Sequence, residues 1–288
     1  MAHTDIPDAM AKIDQRSRDV PWYNPDLGSK LGDSARELLE KYGKIPADEV
    51  ESHVYALRDE AWQIWPYPCI GQFRFLDLGI SLNPYYAVVL ERLKTGNENF
   101  LDLGCCFGQE LRKLAADGAP SEHLYGADLR PEFFDLGYKL FRDKDTLKSR
   151  FIAADIFDPK SELHELDGKI DVIYAGSFLH LFNYQGQFDV CKAIVNLLRD
   201  KKDSVLLGRQ VGNLTPGERI HRTNSGQAMY RHNAESFKKM WDEVGEATGT
   251  KFRVEVTEHL VEPGVGAMRK WAEEPELQRI GFAVFREV

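Results

Sequence analysis

The chain has 288 residues, 43% of them hydrophobic and 29% charged, enough for one large α/β domain or a domain of about 190 residues with an N-terminal extension. Its formal charge of -9 excludes a general electrostatic attraction to phosphate backbones or anionic membranes, so no nucleic-acid partner is expected. No window reaches the roughly 18 apolar residues of a membrane helix, the N-terminus is polar, and four cysteines lack zinc-like spacing; a cytoplasmic protein with reduced thiols and no metal is expected.

Residues 1 to 32 show no sustained period and read as an irregular arm. Helices are predicted over DSARELLEKYG from Asp33 to Gly43, over ADEVESHVYALRDEAWQIW before Pro66, and around GQFRFLDLGI and PYYAVVLERLK. These make residues 1–96 a helical extension and lid, followed by a catalytic domain over 97–288. Trp62, Trp65, Tyr67 and Phe73 crowd the end of the extension, as core or as an aromatic cover that favours a cation and excludes water.

After Gly96 short apolar runs alternate with helical patterns, the signature of a parallel sheet covered by helices. The predicted strands are NFLDL, HLYGAD, RFIAAD, KIDVIYAG, SVLLGRQ, FRVEVTEHL and RIGFAVFREV. Phe237, Met240, Trp241 and Val244 have helical spacing and read as a buried face or a subunit contact.

The chemistry is expected in the turn from Asp102 to Gly108, between the first strand and the next helix. Gly104 allows a sharp corner, Gly108 allows close approach at the helix start, and the helix N-terminus offers free N–H groups to an anion. Asp128 ends the second strand about 20 residues beyond Gly108, where a carboxylate reaches ribose hydroxyls in Rossmann-like folds. Asp155 ends the third strand, placed for an adenine amino group. A dinucleotide site normally needs G-x-G-x-x-G, which LGCCFGQE lacks. Cys105 and Cys106 read as small packing residues of the turn.

DLGCCFGQELRKL, YGADLRPEFFDLGYKLF, FIAADIFD and DVIYAGSFLHLF together resemble the class I S-adenosylmethionine-dependent methyltransferases. The double cysteine and YPCIGQFRFLDL are similar to fungal secondary-metabolite methyltransferases, including those that esterify carboxyl groups in meroterpenoid pathways. The resemblance implies a Rossmann-like, seven-stranded α/β sheet with helices on both faces and its last strand antiparallel. It also implies S-adenosyl-L-methionine as cofactor, with Asp102, Gly104, Cys105 and Gly108 around the methionine part, Asp128 and Leu129 at the ribose, Asp155 and Ile156 at the adenine, and Gly176 nearby. Cys106 stands where the family has a second glycine, so a slightly shifted loop is expected.

His180, after the fourth strand, is the candidate base or substrate partner. Trp65, Tyr67, Arg209, Arg222 and Tyr230 are the candidate substrate contacts, and His221 and His232 fall in the same late segment. The expected activity is O-methyl transfer to a small, largely apolar metabolite, a carboxylic acid before a hydroxyl. Two alternatives stay open: cyclisation or rearrangement on a bound cofactor without methyl transfer, and a non-enzymatic binding role. The aromatic extension also suits a homodimer contact.

Overall fold

The structure is a computed structural model and describes residues 16–20, 22–220, 228–260 and 276–287. The main sheet has seven strands in the order β3-β2-β1-β4-β5-β9-β8. In chain order they are β1 (Phe100–Leu103), β2 (Leu124–Asp128), β3 (Arg150–Ala153), β4 (Val172–Gly176), β5 (Val205–Asn213), β8 (Lys251–Leu260) and β9 (Leu277–Glu287). A separate hairpin pairs β6 (Gly217–Ile220) with β7 (Ala228–Arg231).

Residues 98–103 and 154 onwards form one compact unit. β1, β4 and β5 run parallel in it, Phe100 opposite Val172 and Val172 opposite Val205. β9 pairs antiparallel with both β5 and β8, which is the reversed last strand the resemblance implies. β1 and β4 are apolar along almost their whole length because both faces are covered, the usual state of parallel strands. Two helices belong to this unit, α7 (Tyr184–Leu197) and α8 (Ala234–Thr248). The α8 residues Phe237, Met240, Trp241 and Val244 are at most 1% exposed, and Phe237 stacks on Phe282 of β9. That stripe is therefore core within the chain and not a subunit contact.

Residues 16–97 and 104–153 form the other compact unit. It carries α1 (Asp33–Glu37, continued by a π turn over Leu38–Tyr42), α2 (Val50–Ile64), the single turn α3 (Pro68–Gly71) and α4 (Tyr86–Thr95). It also carries α5 (Gln109–Ala116), α6 (Glu132–Phe141) and the parallel pair β2 and β3. Tyr55, Phe73, Phe75, Phe107 and Phe133 form a chain of ring contacts, each 4.8 to 6.1 Å from the next, from α2 to α6. Trp62 and Phe73 are 0% exposed, so two of the four crowded aromatics are core.

Two sequence expectations need correction. GQFRFLDLGI is not a helix but two 3-10 turns, Arg74–Leu76 and Gly79–Leu82, each entered through a left-handed residue, Phe73 (φ 54°) and Leu78 (φ 44°). The buried Glu110 carboxylate accepts the Gly79 and Ile80 N–H groups at 2.7 and 2.9 Å, replacing the carbonyls a helix would have offered. No strand is predicted between SVLLGRQ and FRVEVTEHL, yet that segment holds the β6–β7 hairpin.

Candidate active site

The Asp102 to Gly108 turn has three left-handed residues in five: Gly104 (φ 76°), Cys106 (φ 52°) and Gly108 (φ 66°). The N–H groups of Gly104 and Cys105 both donate to the Ala127 carbonyl, and Gly108 N–H donates to Cys105 O at 2.7 Å. Cys106 thus takes left-handed backbone angles that glycine adopts freely. Glycine is required at Gly108 for space as well: a Cβ there would meet the Phe151 ring at 2.6 Å and the Arg112 guanidinium at 2.9 Å.

Arg112 braces this turn from beneath and is 0% exposed. Its Nη1 donates to Phe107 O at 2.6 Å and Gly108 O at 3.3 Å, while Nε and Nη2 form a bidentate pair with Asp143 at 2.8 and 2.9 Å. Tyr42 donates to the same carboxylate at 2.8 Å. The Phe107 carbonyl is thereby satisfied, Gly108 O gains a second donor beside the Arg112 N–H, and the turn is held in one geometry.

Asp128 closes the arrangement from the end of β2. One carboxylate oxygen accepts the Cys106 N–H at 2.8 Å and the other accepts the Arg130 N–H at 3.0 Å. Burial pushes its pKa up, against the backbone N–H groups of Arg130, Cys106 and Leu129, which favour the charged form. Leu129 beside it is 40% exposed, an apolar side chain open to a ligand. The Arg130 guanidinium lies 4.0 Å over the Trp65 ring and is hydrogen-bonded to Tyr67. Burial raises the Tyr67 phenol, which stays a neutral donor. Trp65 Nε1 and Arg130 Nε are buried donors without a hydrogen-bond partner among the described residues.

The other compact unit holds the remaining candidates. Asp102, the residue before the last of β1, lies opposite Tyr174 and is 2% exposed. Asp155 Oδ1 accepts the Phe157 N–H at 2.9 Å, which fixes the bend that carries Ile156. Gly176 lies opposite Arg209 in the β4–β5 register, and Ser177 N–H donates to Arg209 O at 2.7 Å. His180 follows in a 3-10 turn, Leu179–Leu181. Tyr230 on β7 joins this group because its N–H donates to Phe182 O at 2.9 Å and its ring packs on Tyr184 at 5.0 Å. The segment from Gly176 to Phe182, which carries His180, is thus bonded through the backbone to Arg209 and to Tyr230, and Phe182 makes ring contacts with Phe157 and Phe178. Arg222 and His221 lie outside the described residues. Among the described residues no cluster of His, Cys, Asp and Glu could hold a metal ion.

Arg112, Glu110, Arg130 and Cys69 escaped sequence reasoning. Arg112 and Glu110 sit in the polar-looking start of α5, and no spacing rule distinguishes a buried, paired charge from a solvated one.

Residues 22–76 match the meroterpenoid methyltransferase N-terminal domain family, and residues 100–201 match a methyltransferase domain family. The O-methyltransferase atr3 of Stereocaulon alpinum is 45% identical over 98% of this chain and 80% of its own length. The chain belongs to the family of fungal secondary-metabolism O-methyltransferases. The O-methyltransferase phiE of a fungal species is 46% identical over 84% of the chain and 80% of its own length. The Asnovolin E/Chermesin D methyltransferase nvfJ of Aspergillus novofumigatus is 43% identical over 82% of the chain and 86% of its own length. Among solved structures, the 1,6-didemethyltoxoflavin-N1-methyltransferase of Burkholderia thailandensis, bound to S-adenosylhomocysteine, aligns with a TM-score of 0.51 at 12% identity, covering 83% of this chain and 90% of that one. At that identity the likeness concerns the fold alone.

The methyltransferase uses S-adenosylmethionine. The left-handed angles at Gly104, Cys106 and Gly108 and the absence of a Cβ at Gly108 are compatible with such a ligand, and the half-buried Asp128 carboxylate keeps acceptor capacity beyond the Cys106 and Arg130 N–H groups.

Proposed function

We propose that this methyltransferase transfers a methyl group to an oxygen of a small, largely apolar metabolite, with a carboxylate favoured over a hydroxyl. The reading rests chiefly on one observation: the segment from Gly176 to Phe182, which carries His180, is bonded through the backbone to Arg209 on one side and Tyr230 on the other, and Phe182 of this segment makes ring contacts with Phe157 and Phe178. Apolar rings suit a terpenoid or aryl body, and a cation with a phenol suits its carboxylate. Burial raises the Tyr230 phenol, which keeps it protonated and able to donate.

In this reading Asp102, Gly104, Cys105 and Gly108 hold the methionine part of the cofactor, Asp128 and Leu129 the ribose, and Asp155, Ile156 and Gly176 the adenine side. When bound, S-adenosylmethionine supplies an electrophilic methyl on a sulfonium. The protein contributes alignment and dryness. Arg209 and Tyr230 orient the carboxylate, which is already ionised at neutral pH and needs no base. His180 takes the proton when the acceptor is a hydroxyl. Trp65 and Tyr67 cover the site and keep water out. Reaction in the cytosol and a homodimer through the N-terminal region belong to the same proposal; a monomer by light scattering discards the dimer.

Methyl-labelled cofactor and a panel of terpenoid and aryl acids test the proposal. An ester releases its label in mild alkali and an ether does not. Label lost in alkali is the expected result, alkali-stable label overturns the carboxylate preference, and unlabelled product points to cyclisation.

A further inference from the structure

Cys69 lies in α3 and Cys106 in the middle of the cofactor turn, two elements of the same compact unit far apart in sequence. Their side chains are half-buried and hydrogen-bonded to each other. Neither support moves freely. A Cβ on Gly71 at the end of α3 would meet the Trp22 carbonyl at 2.4 Å, and Gly71 O accepts the Asn24 N–H at 2.9 Å. The turn is fixed by Arg112 and by the Cys106 N–H to Asp128.

Cys106 occupies a left-handed conformation at φ 52°, which costs a side-chain-bearing residue about 1–2 kcal/mol and which glycine would adopt freely. Strain of this kind persists where the side chain it carries has a use. Packing is not that use, because Cys105 next to it already fills the buried space over Gly126. What the Cys106 side chain meets is a second thiol.

We propose that Cys69 and Cys106 are a reversible dithiol–disulfide site on the cofactor turn, oxidised by a small peroxide. The hydrogen bond from Cys106 holds the Cys69 thiol low, helped by Arg74, and the same bond with burial pushes Cys106 up, so Cys69 is the attacking sulfur. The Cys69 thiolate attacks a peroxide oxygen; the O–O bond breaks, and hydroxide leaves and is protonated to water. Cys106 then gives up its proton and attacks the resulting sulfenic sulfur; the S–O bond breaks and a second water leaves. Two thiols are oxidised to one disulfide and one hydrogen peroxide is reduced to two waters. The sulfurs must close to about 2.0 Å, which draws Cys106 toward α3 and its N–H off Asp128. Oxidation then weakens cofactor binding, a consequence that rests on the turn being the cofactor site.

The full chain, reduced and then treated with hydrogen peroxide, is mapped by mass spectrometry without reductant, and S-adenosylhomocysteine binding is followed by calorimetry. The expected result is a cross-link between the peptides of Cys69 and Cys106, two hydrogens lighter than their sum, with affinity lower by about tenfold and restored by dithiothreitol. Cys69→Ser, with Cys69→Ala as a second variant, loses both the cross-link and the response to oxidant. A disulfide through Cys105 or Cys191, sulfinic acid without a cross-link, a cross-link without loss of affinity, or an affinity loss that persists in both variants overturns the proposal. Failure of the reduced protein to bind S-adenosylhomocysteine instead overturns the cofactor turn itself, and the peptide map stands apart from it.

Discussion

Arg112 shows how one buried side chain can decide the geometry of the turn from Asp102 to Gly108. It ties two carbonyls of the turn to Asp143 and Tyr42, and it is flanked by the rings of Tyr138, Phe141 and Phe151 at 4.9 to 5.5 Å. Arg112→Leu leaves the Asp143 charge buried with only Tyr42 as donor, and breaking a buried pair in this way costs about 3–5 kcal/mol. Urea unfolding should show a loss of that size, with weaker S-adenosylhomocysteine binding in the fraction that remains folded. The double variant Arg112→Leu with Asp143→Leu should recover much of the stability but not the affinity, because the Phe107 carbonyl loses the Arg112 donor. Gly104, Gly108 and Asp128 were legible in the sequence because backbone freedom and strand-end carboxylates leave a fixed spacing. Arg112 was not, since its partner Asp143 lies 31 residues away and only the fold brings them together.

Among the elements, the parallel strands were the most legible, because β1 and β4 are covered on both faces and read as unbroken apolar runs. The β6–β7 hairpin was not, because GERI and AMYR carry polar side chains and their pairing is held by contacts outside the hairpin. Gln187 of α7 supplies one such contact: its Nε2 donates to Phe182 O at 3.1 Å and to Tyr230 O at 2.8 Å, and the residue is 0% exposed. It pins the hairpin to the segment that carries His180. Gln187→Leu keeps the volume and removes a donor from both carbonyls, Phe182 O keeping the Tyr230 N–H, which should cost about 1–3 kcal/mol. Its functional signature should be a raised KM for the methyl acceptor while S-adenosylhomocysteine affinity stays within about twofold, if the hairpin serves the acceptor as the proposed function has it. Equal losses for both ligands would mean that the hairpin positions the cofactor as well.

At the scale of the whole molecule, His232 links the folding of this unit to pH. It lies between β7 and α8 and is 0% exposed, with Nδ1 at 2.9 Å from Ser236 Oγ. Its ring packs among Tyr184, Tyr230 and Phe237, and the Tyr184 hydroxyl donates to Glu243 of α8 at 2.6 Å. Burial lowers its pKa from the ordinary 6.5 to about 4, only partly opposed by the hydrogen bond with Ser236. The folded state therefore binds this proton more weakly than the unfolded chain does. Stability from His232 is complete above pH 6.5 and is lost as pH falls toward 4, by about 3 kcal/mol in all. Urea midpoints measured through that window should fall with acid in the wild type, and the fall should be smaller by about that amount in His232→Gln, which cannot take a proton. A parallel decline in both proteins would assign the acid sensitivity to other groups, Asp128 excluded, because its raised pKa acts in the opposite sense and relieves a burial cost on protonation.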